Sequence, residues 1–168
     1  AAHIASEIGP APGARIHASD RIRKALFGVA ATDRLPPSAY APEVSARVYD
    51  EARKACAATL RAGHGAVAEA VFDRAEDRAA IEAVARAAGA AFKGFWLDAP
   101  VEALAPRIAA RRNDPSDANE AVMRAQAARG HENVGWTRLD ATQGAAAVAE
   151  QALDHLKGVQ ALLSATPP

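Results

Sequence analysis

The stretch Arg15-Ile-His-Ala-Ser-Asp-Arg-Ile-Arg-Lys24 joins a strand pattern to a helix pattern with no loop between them. Asp20 and Arg23 are three residues apart, so the first turn of this helix places both side chains on one face. In open α/β sheets, ligands bind at the carboxyl ends of the strands. The stretch therefore predicts a carboxylate and a guanidinium at a ligand-binding edge. Capping of the helix N-terminus by Ser19 or Asp20 explains the same residue types.

Helix and strand patterns alternate along the rest of the chain. After the strand at 15–18, further strands are predicted at 66–72, 91–98 and 135–140. The main helices are predicted at 20–27, 42–62, 75–88, 101–112 and 144–163, with another between 117 and 129. Strands that alternate with helices in this way form βαβ units around a parallel sheet. The sequence therefore predicts a single α/β domain over residues 1–168.

The composition of the chain and the spacing of its residues argue against several classes of protein. The chain has 20 basic and 20 acidic residues and no basic stripe, so bulk binding of nucleic acid is not indicated. It shows no signal-peptide pattern and no apolar stretch long enough to cross a membrane. With Cys56 as its one cysteine, a cytoplasmic location is expected. The five histidines have no metal-ligand spacing, so no protein metal site is predicted.

Two further groups of charged residues are candidates for a site. Glu69 lies in the apolar stretch 66–72, where a buried carboxylate without a partner is costly. It is expected either at an open strand end that faces a ligand or on an edge strand that faces solvent. Arg107 and Arg111 share a helix face, and Arg112 is adjacent. Such a face suits bidentate phosphate contacts, and an ordinary solvated face explains it as well.

A polar turn, Asn113-Asp-Pro-Ser-Asp-Ala118, separates two predicted helices. Pro115 ends the first helix, and Ser116 or Asp117 is suited to cap the second. This segment is therefore interpreted as a hinge. A lid function and simple capping both fit its residue types.

These pieces, in this order, resemble the small P-loop kinases that include polynucleotide-kinase-like, gluconate-kinase-like and zeta-toxin-like phosphotransferases. The resemblance is closest to the AAA-type ATP-binding domain at the carboxyl end of bacterial proteins that begin with an aminoglycoside-phosphotransferase-like domain. It covers most of the chain. The residues that carry it are, in chain order, Ser19–Lys24, Leu26-Phe27-Gly28, Arg34–Pro37, Tyr40, Pro42, Val48-Tyr49, Ala62-Gly63-His64, Glu69–Phe72, Arg78, Trp96–Pro100, Arg107, Arg111-Arg112, Ser116–Ala118 and Gln126.

The resemblance implies a three-layer fold, with a parallel sheet flanked by helices, and ATP-dependent transfer of a phosphoryl group to a hydroxyl. It implies that Asp20 is the base that takes the proton of the acceptor and that Arg23 is the substrate clamp. Residues 106–130 resemble a lid-like helical region. In this region the resemblance assigns three arginines to the ATP phosphates: Arg107, Arg111 and Arg112. These roles agree with the electrostatic demands of phosphoryl transfer.

The resemblance also implies the ligands and partners of the domain. The acceptor is a small-molecule or nucleotide-like hydroxyl compound, and ATP with Mg²⁺ is the expected donor. The implied substrate contacts are Arg23, Tyr40, Glu69 and Arg78. Another phosphotransferase domain, fused to this one or paired with it, is the expected protein partner.

Two features depart from the family pattern. At the third strand of the family, Asp-Ala-Thr-Phe is common, whereas this chain has Glu69-Ala-Val-Phe72, which keeps a carboxylate and loses a hydroxyl. The sequence also contains no G-x-x-x-x-G-K-[ST]. Ala1–Gly9 resembles the helix that follows this loop in the family. We therefore expect an N-terminally incomplete domain that lacks the first strand and the P-loop.

Two other functions stay open besides catalysis. One is a non-catalytic nucleotide-binding or regulatory module of a larger phosphotransferase, and the other is a degenerate α/β interaction domain. The gene sequence upstream of Ala1 discriminates between them. An intact phosphate loop there would favour the kinase or the nucleotide-binding module over the degenerate domain.

A protein of these 168 residues is expected to have negligible kinase activity. The physical reason is that its sequence holds neither the lysine nor the glycine-rich backbone that binds the β- and γ-phosphates. The measurement is phosphoryl transfer from ATP by a verified protein that begins at Ala1. Turnover by that protein would contradict the expectation.

Overall fold

The computed structural model describes residues 1–110, 114–118, 123–124 and 134–165, with side chains described as far as Lys157. The described strands are β1 (Arg15–Ala18), β2 (Ala66–Glu69), β3 (Phe95–Asp98) and β4 (Thr137–Asp140). The described α-helices are α1 (Ala2–Ala5), α2 (Ser19–Leu26), α3 (Pro42–Arg61), α4 (Ala75–Ala87), α5 (Val101–Ala109) and α6 (Ala145–Ala165), and a 3₁₀ turn covers Pro37–Tyr40. These elements follow the predicted order.

The strands form two parallel pairs. β1 pairs with β2 so that Ala18 lies opposite Glu69, and β3 pairs with β4 so that Asp98 lies opposite Asp140. The prediction of a mixed α/β chain with parallel strands is therefore confirmed. Within the described part of the chain, β2 and β3 share no ladder. The three-layer arrangement around one continuous sheet stays a prediction.

The second and third strands are shorter than the sequence pattern predicts, and the backbone shows why. β2 ends at Glu69, and three residues later Phe72 has a φ of 49°, which is not an extended conformation. β3 begins only after Gly94. A Cβ at Gly94 would lie 2.4 Å from the indole of Trp136, so the close approach of these two segments requires glycine. The pattern of apolar residues in the sequence reveals neither of these two constraints.

The helix ends follow local chemistry. Pro42 occupies the first turn of α3, where its missing N–H is not needed. Helices α3 and α4 are each followed closely by a glycine of positive φ, Gly63 at 81° and Gly89 at 64°. The first helix covers only Ala2–Ala5, which is shorter than the stretch Ala1–Gly9 that resembles a helix of the family. None of the described helices is both long and apolar enough to cross a bilayer.

The main core cluster lies between α3, α4 and the end of β2. Its buried members are Cys56, Phe72 and Ile81. The Phe72 ring contacts Tyr49 and Trp136 edge to face, with ring centroids 5.4 Å and 5.3 Å apart. Because Trp136 immediately precedes β4, this aromatic chain connects the β1–β2 pair to the β3–β4 pair.

Shortening Ile81 tests the core cluster. We expect Ile81→Ala to lower the free energy of unfolding by about 2–5 kcal/mol, and Ile81→Val by about 0.5–1.5 kcal/mol, because each leaves a cavity in a packed site. Denaturant unfolding followed by circular dichroism measures both. Leu97→Ala is the matched control, because Leu97 is 62% exposed. Equal losses for Ile81→Ala and Leu97→Ala would contradict the assignment of the core.

Candidate functional site

The candidate site begins where β1 passes into α2. Ala18 is the N-cap residue of α2, with extended backbone, and no side chain caps this helix end. The explanation of Ser19 or Asp20 as an N-cap is therefore wrong. Asp20 lies instead inside the first turn, where the positive end of the helix dipole favours a carboxylate.

The Asp20 carboxyl lies in a mixed environment. Burial raises its pKa, and the nearby Asp117 carboxylate acts in the same direction. The nearby Ser116 side chain and the positive charges of Arg23 and Lys24 oppose that rise. The net result is a raised pKa, which makes Asp20 a stronger base than an exposed aspartate.

Arg23 is buried and holds three elements together. Its Nη1 donates to the Ala39 carbonyl oxygen at 2.6 Å, and its Nη2 donates to Ser45 Oγ at 3.4 Å. The guanidinium carbon lies 4.7 Å from the centroid of the Tyr40 ring, in cation–π geometry. Its Nε is buried and has no hydrogen-bond partner in the part of the chain that the structure describes. A buried donor in this state favours a ligand that accepts its hydrogen bond.

A second cluster surrounds Asp117. Lys24 Nζ lies 2.6 Å from Asp117 Oδ2, and the side chains are only 2% and 10% exposed. The same carboxylate accepts hydrogen bonds from Arg34 Nη1 at 3.2 Å, from the Leu35 N–H at 3.1 Å and from the Tyr40 hydroxyl. Burial opposes ionisation of Asp117, but these bonds outweigh it and lower its pKa to about 2. Sequence reasoning missed this cluster, because it interpreted Asp117 as a helix cap.

The other predicted site residues lie apart from this cluster. Glu69 is exposed at the carboxyl end of β2, opposite Ala18 in the ladder. Arg78 Nη1 donates to the Phe72 and Asp73 carbonyl oxygens at 2.8 Å and 3.1 Å, so it braces the loop after β2. Of the predicted set, Arg23 and Tyr40 are in direct contact, and Asp20 lies three residues before Arg23 on α2, close enough for its charge to act on both.

Of the three arginines predicted to bind the ATP phosphates, one is described by the structure and two are not. Arg107 is exposed and donates to the Ala141 and Thr142 carbonyl oxygens, which ties α5 to the loop after β4. Arg111 and Arg112 lie outside the described residues, as does Gln126. From the lid-like region 106–130, the segment 114–118 is described and contacts α2 through Asp117.

A cleft of about 410 Å³ opens beside the Asp117 cluster. Loop residues form one wall, the last turns of α5 form the other, and the lining residues are Arg34, Leu35, Ala105, Ile108, Ala109, Asp117 and Ala118. The cleft therefore combines apolar walls with one exposed guanidinium. In the described ranges there is no group of three or more His, Cys, Asp or Glu side chains arranged to hold a metal ion.

Comparison with protein families identifies the class of this chain. Residues 3–132 match the family model described as the AAA domain. The chain therefore belongs to the AAA domain family and is a P-loop kinase-like, nucleotide-binding domain. Searches of curated proteins and of solved structures gave no match.

The Asp117 cluster links stability to pH. The pKa of Asp117 is about 2 in the folded protein, against an ordinary value of 3.8. Its ionised form therefore stabilises the fold above about pH 4, by about 2 kcal/mol, and this contribution is lost as the pH falls towards 2. We expect the stability difference between wild type and Asp117→Asn to shrink between pH 6 and pH 2.5.

Denaturant unfolding at both pH values measures this difference. Asp154→Asn is the control, because that side chain is 78% exposed and pairs only loosely with Lys157. A wild-type advantage over Asp117→Asn that is the same at pH 6 and at pH 2.5 would contradict the depressed pKa.

Proposed function

We propose that this domain is an ATP-dependent phosphotransferase, a kinase that acts on a hydroxyl group of a small-molecule or nucleotide-like acceptor. The observation that carries the proposal is the grouping of Asp20, Arg23 and Tyr40 at the carboxyl end of β1. Membership of the AAA domain family supports the part of the proposal that concerns nucleotide binding. The closer likeness to polynucleotide-kinase-like and zeta-toxin-like enzymes, and to the aminoglycoside-phosphotransferase-like fusion proteins, is part of this proposal and rests on the motif series.

In the proposed reaction, the side chains of Asp20, Arg23 and Tyr40 bind and activate the acceptor. Asp20 accepts the proton of the acceptor hydroxyl as the hydroxyl oxygen attacks the γ-phosphate of ATP. The raised pKa of Asp20 favours this proton transfer. Arg23 orients the acceptor through its Nε, which has no partner among the described residues, while its two terminal nitrogens stay bound to the protein. The Tyr40 ring covers the guanidinium and forms one wall of the site.

The residues that would bind the phosphoryl donor, ATP with Mg²⁺, are less complete in this chain than those that would bind the acceptor. ATP supplies the phosphoryl group, and Mg²⁺ is the cation expected with it. The sequence holds no G-x-x-x-x-G-K-[ST], and the described residues offer no metal-ligating cluster. Arg107 already donates to two backbone carbonyls through Nη1 and Nη2, which leaves fewer of its N–H groups for a phosphate. The residues described therefore fit the acceptor and do not by themselves fit a bound ATP–Mg²⁺.

Replacement of Asp20 by asparagine tests the proposal in the protein read from the complete gene. We expect Asp20→Asn to lower the rate of phosphoryl transfer by about 100- to 10,000-fold, because the amide cannot accept the proton. ATP binding should be preserved. The measurement is transfer from γ-labelled ATP to a panel of sugars, nucleosides and aminoglycosides, together with calorimetric titration of ATP.

One control variant and two possible outcomes decide how this experiment is interpreted. Asp154→Asn removes an equivalent carboxylate from the exposed surface of α6 and should leave transfer unchanged. Unchanged transfer in Asp20→Asn would remove Asp20 from the mechanism. A wild-type protein that binds ATP and transfers phosphate to none of the acceptors would instead favour the non-catalytic nucleotide-binding module.

A further inference from the structure

We propose that the cleft beside the Asp117 cluster binds a small amphipathic anion, a compound that joins an apolar body to one oxyanion group, either a carboxylate or a phosphate. In this arrangement the apolar body lies against α5 and the oxyanion binds Arg34. The site is additional to the grouping of Asp20, Arg23 and Tyr40, and its test does not require phosphoryl transfer.

One wall of the cleft is an apolar face of α5. Ala105, Ile108 and Ala109 line the cleft, and their spacing of three and four residues places them on one side of the helix. The small alanine side chains leave room for a ligand against this face. Arg107 lies on the other side of α5, where it donates to two carbonyl oxygens of the loop after β4. These bonds fix α5 from the side that faces away from the cleft.

The facing wall is formed by segments that hydrogen bonds hold to α2. Asp117 accepts from the Leu35 N–H at 3.1 Å and pairs with Lys24 Nζ at 2.6 Å. Arg34 Nη1 donates to Asp117 Oδ1 and to the Ser116 carbonyl oxygen, each at 3.2 Å. Both walls are therefore tied to the rest of the fold before a ligand arrives, which lowers the entropic cost of binding.

The charges at the cleft favour an anion. Of the described residues that line it, Arg34 and Asp117 are charged. Asp117 pairs with the buried Lys24 as well as with Arg34, so two positive charges face one negative charge and a positive charge remains. The neighbouring Asp33 carboxylate accepts from the Ala30 N–H and is not a lining group. This balance attracts a negatively charged ligand and disfavours a cation.

Arg34 has donors left for the oxyanion. Its side chain is 71% exposed, and its described hydrogen bonds use Nη1 alone. A guanidinium carries further N–H donors in a planar fork, so Nε and Nη2 can bind two oxygens of a carboxylate or of a phosphate. Asp117 already accepts four hydrogen bonds and has about four acceptor positions, so it offers little to a ligand that donates.

The size of the cleft suits a small molecule. Its volume of about 410 Å³ lies in the lower part of the range of about 300–1,000 Å³ that is typical of small-molecule sites. Such sites combine mostly apolar walls with a few polar groups that fix the orientation of the ligand. A single ring that carries a phosphate or a carboxylate is the simplest compound with both features.

The experiment titrates the 168-residue chain with phenyl phosphate and with benzoate, two aromatic probes that differ in the oxyanion. The backbone amide resonances of Leu35 and Ile108, followed by NMR, report on the two walls. We expect at least one probe to bind about tenfold or more tightly than inorganic phosphate, which lacks the apolar body, and than benzyl alcohol, which lacks the charge. The tighter probe identifies the oxyanion. Benzylamine, whose charge is positive, should not bind.

Two variants locate the binding in the cleft. Arg34→Gln should weaken the binding of the tighter probe by about tenfold, because a charge-assisted pair is lost. Its matched control is Arg74→Gln, because the Arg74 side chain is 70% exposed. Ala109→Phe should abolish binding, because the ring fills the cleft from α5 and leaves the charges in place. Its control is Ala110→Phe, at the next residue, which is exposed and does not line the cleft.

Three results would overturn the proposal. The first is binding of inorganic phosphate, benzyl alcohol or benzylamine as tight as that of the better probe. The second is wild-type affinity for that probe in Arg34→Gln, and the third is wild-type affinity in Ala109→Phe. Because Arg34→Gln also removes a contact of Asp117, Ala109→Phe decides the matter if the first variant does not fold. Loss of binding in the two cleft variants, with wild-type affinity in both controls, supports the proposal.

Discussion

The ion pair between Lys24 and Asp117 is the constraint on which the candidate site depends. A lysine ammonium that is almost fully withdrawn from water requires an opposite charge and hydrogen-bond acceptors close by. Asp117 supplies the charge, and in doing so it brings a segment beyond α5 onto α2, the loop at 33–35 and the 3₁₀ turn. A distant segment thereby packs against residues 19–40, beside Asp20 and Arg23.

The two aspartates at this contact have different chemistry. Asp117 is surrounded by donors, which hold its proton affinity low and keep it ionised. Asp20 is partly buried with fewer donors, so desolvation dominates and its proton affinity rises. A pair of carboxyl groups whose environments separate their pKa values is a common arrangement at sites that transfer protons. This separation fits the proposed role of Asp20 as the proton acceptor, and it leaves Asp117 ionised among its four hydrogen-bond donors.

Much of the fold could be predicted from local patterns, and the site could be predicted only in part. The adjacency of Asp20 and Arg23 follows from their spacing on α2. The pairing of Glu69 opposite Ala18 required the structure, because the sequence pattern extends the second strand to residue 72. The capping explanation for Ser19 or Asp20 was wrong because the helix already begins after Ala18. The contacts of Arg107 with the loop after β4 and of Asp117 with Lys24 join residues 35 and 93 positions apart, and no local pattern specifies such pairs.

The sequence by itself determined the order of helices and strands, their parallel pairing and the residues at the start of α2, because periodicity, glycine and proline act over a few neighbouring residues. Tertiary structure alone decided which charges meet. The burial of Lys24, the four hydrogen bonds to Asp117 and the absence of a described partner for Arg23 Nε depend on how distant segments exclude water from one another. Desolvation and pairing energies are properties of that packed environment, so they cannot be assigned to a residue before its neighbours in space are known.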